Sequence, residues 1–438
     1  LRPEDEALAT SLEKLLEKHE RWNDLIDLWT SRLDSLEGKP RLEIRAHIAE
    51  CWLDKLSNPE KALGATQGLL EDEEHNEVGL KLLERIAKTP ETPAQVRDGA
   101  MNLLRFSCQA TERLREFVRI IEETLELVDA EKKKDLHREA GDLLTKVGDA
   151  PAAMTHFTTV LALEPSSSVT QEKLRQLAED SGDFTTYAQG VAAAAENAKD
   201  VSRNAELLSE AAQTYVEKLK DDNAAVELYQ KALSQEGISP IVVLSLGRRL
   251  RELLARLERH GELLDVLEKL ASVESVPSSK RALMGDAARL AHKLGETERA
   301  LNAWQARLSE DPNDVDALDA LIALLEEEER WEEVVAALGK RANAPVPPNQ
   351  KEADLVQIAK VYGEQLASPE KAIEAWKNVQ EAFGETEDTV NALVEYYGKA
   401  ERWPEMVDLL EKTSDKYTGR VTQRLMLLGN ACRDFLKD

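Results

Sequence analysis

GETERALNAWQARL, residues 295–308, decides the fold. Leu301, Trp304 and Leu308 fall at i, i+3 and i+7, one apolar face of a helix with 3.6 residues per turn. Gly295 stands ahead of it, where a tight turn needs a residue tolerant of unusual backbone angles. The segment returns as SNPEKALGATQGLL (57–70), GDAPAAMTHFTTVL (148–161), DDNAAVELYQKAL (221–233) and SPEKAIEAWKNVQ (368–380). Its anchor alanines, Ala62, Ala153, Ala225, Ala300 and Ala372, are separated by 91, 72, 75 and 72 residues.

A second segment alternates with the first: ERWNDLIDLW (20–29), TERLREFVRII (111–121), GDFTTYAQGV (182–191), HGELLDVLEKL (260–270), ERWEEVVAAL (329–338) and ERWPEMVDLL (401–410). The long period therefore divides into halves of about 36 residues, each one helical hairpin, and two hairpin types make a four-helix unit. Pro59, Pro151 and Pro369 suit a first helical turn, where a missing N–H costs little. Asn58 and Ser368 precede proline as N-caps. Gly148 and Gly182 mark turns like that of Gly295, while NAPVPPNQ (343–350) and SVPSSK (275–280) read as looser connections. No alternating strand pattern is present.

Ala300, Trp304 and Pro312 resemble the small, aromatic and proline positions of a tetratricopeptide repeat's second helix. Ala153, Phe157 and Pro165 match equally, and Gly141, seven residues before Gly148, resembles the first-helix glycine. The alternate hairpins depart from that pattern, with Leu25, Val334 and Met406 in place of the small residue. The resemblance covers essentially the whole chain. It implies an all-α fold, a right-handed superhelical α-solenoid of stacked antiparallel helix hairpins, with about 24 helices.

The expected organisation is one continuous array over 1–438. Its four-helix units lie roughly at 20–88, 111–180, 183–258, 260–327 and 329–399, with incomplete repeats at 1–18 and 401–438. The first anchor interval exceeds the others by roughly 19 residues, near TPETPAQVRDGAMNLLRFSCQA (89–110). Thr92-Pro93 there is a start signal for an extra helix at about 92–109. Leu425, Leu428, Cys432 and Phe435 form an apolar stripe without a following helix. Terminal repeats normally carry a polar face, so the array is expected to continue beyond this segment or to be covered by a partner. End-to-end self-association through the terminal repeats stays open.

Composition limits the function. Lys+Arg number 57 against Asp+Glu 84, a formal net charge of -27, which disfavours nucleic acid and anionic membrane surfaces. Cys51, Cys108 and Cys432 lie far apart, which fits a reducing compartment, and a cytoplasmic location is expected. No apolar run approaches the roughly 18 residues that span a bilayer.

No motif for chemistry is present: no G-x-S-x-G, no phosphate loop, no H-E-x-x-H. The seven histidines are scattered, and His156 beside Phe157 reads as packing. EDEEHNE (71–77) and EEEERWEE (326–333) lack calcium-loop spacing and read as solvated faces. Catalysis, cofactor and metal are therefore not expected. Trp304 and Trp376 share one repeat position, and Trp22, Trp331 and Trp403 another, as core packing requires; Trp52 has no aromatic counterpart in the other copies.

The expected function is a non-catalytic scaffold or adaptor for partner proteins or peptides. The alternative is the repeat arm of a larger enzyme or regulator. The resemblance implies that first helices line a concave face. Mapped here, that face holds Arg138, Asp142 and Lys146 in one copy and Arg289, His292 and Lys293 in another, suited to acidic peptide groups. The next copy offers Asp316, Asp319 and Glu326. The Lys/Asn clamp that some family members use for a C-terminal carboxylate is absent, with Gly285 and Arg289 in its slots.

Overall fold

The computed structural model describes residues 6–413 together with 416, 417, 426, 427, 429, 430 and 433. The stripe of Leu425, Leu428, Cys432 and Phe435 lies outside them. The described residues hold 23 α-helices and no strand. The chain divides into two compact units, Leu1–Ile238 and Ser239–Asp438.

The first unit begins with α1 (Glu6–Lys18), α2 (Trp22–Arg32), α3 (Gly38–Glu50), α4 (Pro59–Asp72) and α5 (Glu77–Lys88). It continues with α6 (Ala94–Ala110), α7 (Leu114–Thr124), α8 (Ala130–Lys146) and α9 (Ala150–Leu163). It ends with α10 (Ser168–Ser181), α11 (Phe184–Glu196), α12 (Val201–Thr214) and α13 (Asp222–Leu233). The second holds α14 (Pro240–Arg256), α15 (His260–Val273), α16 (Pro277–Lys293), α17 (Thr297–Glu310) and α18 (Val315–Glu327). After these come α19 (Trp331–Asn343), α20 (Pro348–Lys360), α21 (Pro369–Phe383), α22 (Glu387–Lys399) and α23 (Trp403–Thr413). Successive helices pack against one another within each unit, forming an all-α array of hairpins.

The anchor alanines Ala62, Ala153, Ala225, Ala300 and Ala372 are all fully buried, which explains the small residue: any longer side chain would overpack the hairpin. Gly141 has the same cause, since a Cβ there would stand 2.8 Å from the Phe157 ring. Asn58 accepts from the Lys61 N–H at 3.0 Å as an N-cap should, whereas Ser368 occupies the cap position without a side-chain bond. Pro277 and Pro348 are not in loops; each begins a helix, α16 and α20, because a first-turn proline loses no helical hydrogen bond.

The proline-type hairpins end their first helix in two ways. In α8–α9 and α16–α17 the stop is a glycine with positive φ, Gly148 at 76° and Gly295 at 74°. The next N–H returns to a carbonyl five residues back, Asp149 to Leu144 and Glu296 to Ala291, both at 2.9 Å. In α3–α4, α12–α13 and α20–α21 the buried alanines Ala49, Ala212 and Ala359 stand one residue further from the left-handed stop. The surplus residue widens the last turn into a π-turn at Cys51–Lys55, Tyr215–Leu219 and Val361–Gln365. The closing bond then reaches six residues back: Asn58 to Trp52 (2.8 Å), Asp221 to Tyr215 (3.0 Å) and Ser368 to Tyr362 (2.8 Å). Trp52 therefore does have aromatic counterparts, Tyr215 and Tyr362, each ten residues before its anchor alanine.

The alternate hairpins turn on a left-handed glutamate: Glu20, Glu112, Glu258, Glu329 and Glu401 have φ between 53° and 58°, and Gly182 replaces them once. The following arginine sits at the helix start without capping the backbone, as Arg259 and Arg330 show. Instead it donates to an acid three residues on, Arg259 to Glu262 at 2.7 Å and Arg330 to Glu333 at 2.6 Å. That fixes a carboxylate in the first turn, where the helix dipole favours it.

Pairing hairpins from either end leaves α5 as the unpaired helix, between α4 and α6. Its joint is fastened by Arg97, 5% exposed. The guanidinium donates to the carbonyls of Ala87 (2.9 Å), Thr89 (3.0 Å) and Leu127 (2.8 Å). A cation satisfies the free carbonyls at the end of α5, where the dipole is negative.

Candidate partner-binding surface

The expected groove cations are largely engaged by the chain's own carboxylates. On α8, Arg138 donates to Asp135 (2.9 Å) and Glu164 (3.1 Å), and Asp142 accepts from Lys173 on α10. On α16, Arg289 donates to Asp286 at 2.7 Å and lies over the Trp304 ring, while His292 faces Glu327 at 3.6 Å. Lys146 and Lys293, one helical turn further on, are exposed and stand in equivalent places. The α8 set lies in the first unit and the α16 set in the second. Asp319 accepts from Arg341 (2.6 Å) and Glu326 from Gln357 (2.9 Å).

Next to the α16 set, the space between α16 and α18 is filled. Arg307 on α17 reaches across Trp304 and donates to Asp314 through two bonds, 2.7 and 3.0 Å. Gly285 makes room for it, since a Cβ there would meet the Arg307 guanidinium at 2.6 Å. Asp314 also caps α18 by accepting from the Ala317 N–H at 3.1 Å. Burial pushes its carboxyl up, but Arg307 and that N–H together hold it below the usual carboxylate range.

One four-helix unit further along, the same three positions are Val356, Val379 and Thr386. There the space is open: a cavity of about 930 Å³ lies between α20 and α22, with Trp376 and Val379 of α21 and Trp403 and Met406 of α23 also lining it. Leu427, beyond α23, reaches its edge. Trp376 is 6% exposed, yet its indole Nε1–H has no acceptor. The rim carries Glu352 and Lys360 from α20, Glu364 from the π-turn after it, and Asp388, Glu395 and Lys399 from α22. Lys399 donates to Glu395 at 2.7 Å, which raises its pKa. This cavity was missed in the sequence because single residues in it are unremarkable. The signal was there only as a correlated change, Gly–Arg–Asp to Val–Val–Thr, between aligned repeats.

In the first unit, His137 and His156 are both buried and their Nδ1 atoms stand 2.9 Å apart, one donating and the other accepting. His156 Nε2 lies 3.3 Å from Glu122 of α7. Burial, then the charge His156 would carry, pushes His137 down to about 4. Among the described residues no three His, Cys, Asp or Glu side chains are grouped as metal ligands. Cys51 and Cys108 are buried thiols, Cys108 raised to about 11 by burial. No helix among the described residues is long and apolar enough to cross a membrane.

No family model and no curated protein matches the chain. It is similar to solved structures of repeat proteins. Yeast Tom70 is 15% identical, with 98% of this chain and 96% of Tom70 covered and a TM-score of 0.24. A tetratricopeptide repeat protein from Parabacteroides merdae is 16% identical, covering 59% of this chain and 97% of its own, at 0.22. The TPR2AB domain of yeast Sti1, solved in complex with pHSP90, is 17% identical over 62% of this chain and 100% of its own, also at 0.22. The described helices form the array of hairpins that the sequence's resemblance to tetratricopeptide repeats implies.

Proposed function

We propose that the chain is a non-catalytic scaffold that holds a partner protein or peptide against its first helices. The observation that carries this reading is the open space between α20 and α22, where the preceding repeat fills the same place with Arg307. Unfilled apolar volume beside a buried, unpartnered donor favours an incoming ligand, because both are costly left alone. Arg138, Asp142, Arg289 and His292 hold the array's own charges in place, and Lys146 and Lys293 remain as secondary contacts with an acidic partner.

Cross-linking tests this. The intact chain is incubated with extract of its source cells, cross-linked through lysine, and the linked peptides are identified by mass spectrometry. Lys360 and Lys399, at the rim, should carry links to another protein. A set of cross-links confined to the chain itself would sink the scaffold reading.

A further inference from the structure

We infer that the α20–α22 groove takes a peptide segment whose apolar side chain is flanked by lysine or arginine, an inference that rests on the scaffold reading above. Three changes between neighbouring repeats point there. Within the groove of about 930 Å³, Val356, Val379 and Thr386 remove the internal arginine and its carboxylate and leave an apolar slot in their place. A ligand's aliphatic side chain fills it as the stem of Arg307 does one repeat earlier.

The second change is at the rim. Arg281 of α16, which pairs with Asp311 at 3.2 Å, becomes Glu352 in α20, while Asp316 of α18 stays acidic as Asp388 in α22. Glu352 and Asp388 are both exposed and have no ion-pair partner among the described residues. Lys399 is already bound to Glu395 and Lys360 is the other rim cation, so the four rim carboxylates Glu352, Glu364, Asp388 and Glu395 outnumber the two lysines. The mouth therefore carries more negative than positive charge, and it complements a cationic ligand.

The third change is Trp376. Its counterpart Trp304 is flanked by Arg289 and Arg307, whereas Trp376 presents a buried N–H with no acceptor. A peptide backbone carbonyl supplies that acceptor, which sets a peptide apart from a free polyamine. Apolar slot, acidic mouth and orphan donor together describe one ligand class.

The test is fluorescence anisotropy on the whole chain with two labelled octapeptides, Lys-Arg-Leu-Leu-Ser-Leu-Lys-Arg and the same sequence with glutamate in place of each cation. The basic peptide should bind at least about tenfold more tightly than the acidic one. Glu352→Lys with Asp388→Lys, both on the surface, should reverse that preference. Val356→Gly, Val379→Arg and Thr386→Asp together install the neighbouring repeat's own filling and should abolish binding, with the helical circular dichroism kept. Equal binding of the two peptides, unchanged binding by the filled chain, or binding of neither peptide overturns the inference. So does dimerisation in sedimentation that the filled chain loses, which would make a second copy the occupant. None of these outcomes touches the cross-linking result, on which the scaffold reading stands separately.

Discussion

The glycine-ended and π-ended hairpins reach the same second helix by first helices that differ by one residue. Both place the anchor alanine five residues after the left-handed stop, as in Gly148 to Ala153 and Ala367 to Ala372. What varies is how the turn is held: by a residue that accepts positive φ freely, or by a wider turn closed six residues back. The packing of the second helix is thus the fixed quantity, and the first helix adapts to it. Gly363 gives the sharpest test. Leu53 and Val216 hold its place in the other π-turns, so the turn itself accepts a side chain. Gly363 is glycine because a Cβ would stand 2.1 Å from the Tyr396 hydroxyl. Gly363→Val should lose about 2–3 kcal/mol in urea unfolding. Adding Tyr396→Leu, the residue Leu324 has one repeat earlier, should recover most of it. An equal loss in the double variant would place the requirement in the π-turn after all.

The two glycine-ended hairpins differ in their interiors. His137 and His156 of α8–α9 correspond to Met284 and Ala303 of α16–α17, each 147 residues on. His137 is held well below its free value of 6.5, at about 4, by burial and by His156, with Glu126 opposing and Lys133 assisting. A depressed histidine pKa means that the unfolded chain binds protons the folded one refuses. Stability from this group is therefore complete above about pH 6.5 and drains away as pH falls toward 4, by about 2 kcal/mol at pH 5. Two imidazolium rings also cannot keep the 2.9 Å Nδ1 contact. His137→Met with His156→Ala should flatten the melting temperature between pH 7 and 5 relative to the natural chain. Parallel curves would show that the pair does not carry the acid sensitivity.

Both hairpin types were legible from helical spacing and from the turn residues at Gly148, Gly182 and Gly295, because those signals are local. The π-turns were not, since a one-residue insertion inside a helix leaves the apolar period almost intact. The arginines of the expected groove stood out in the sequence, but not their partners: Glu164 reaches Arg138 from a position that only tertiary packing brings near. Likewise Arg97 reads as an ordinary surface charge until α5 delivers its carbonyls. The cavity lay furthest from view, because it depends on what Val379 fails to fill.

The stops themselves separate the two hairpin types by a smaller amount. Ala367 holds a φ of 45° with a side chain that disfavours it, while Gly295 holds 74° without strain. Gly295→Ala should cost about 1 kcal/mol, and Ala367→Gly should gain at most about that much, the difference being the left-handed penalty less glycine's extra entropy in the unfolded chain. Equal and opposite shifts in the urea midpoint would mark the two stops as interchangeable. A loss at both would mean that the π-turn enforces its own geometry so firmly that residue type hardly matters there.

The smallest effect concerns what the π-turn adds. It sets a half-buried aromatic beside the start of the second helix, and in two of three copies a lysine nine residues later covers the ring. Lys61 Nζ lies 4.1 Å from the Trp52 centroid, and Lys371 Nζ 5.5 Å from that of Tyr362. The third copy has Ala224 at that place beside Tyr215. Lys61→Ala should therefore cost about 0.5 kcal/mol, Lys371→Ala less, and Ala224→Lys should gain a similar small amount. Because the ring attracts the cation through its quadrupole, Lys61→Gln, which keeps most of the aliphatic stem, should lose nearly as much as alanine. If glutamine behaved like lysine, the aromatic would be there to cover the stem, and the π-turn's contribution would be apolar area rather than charge.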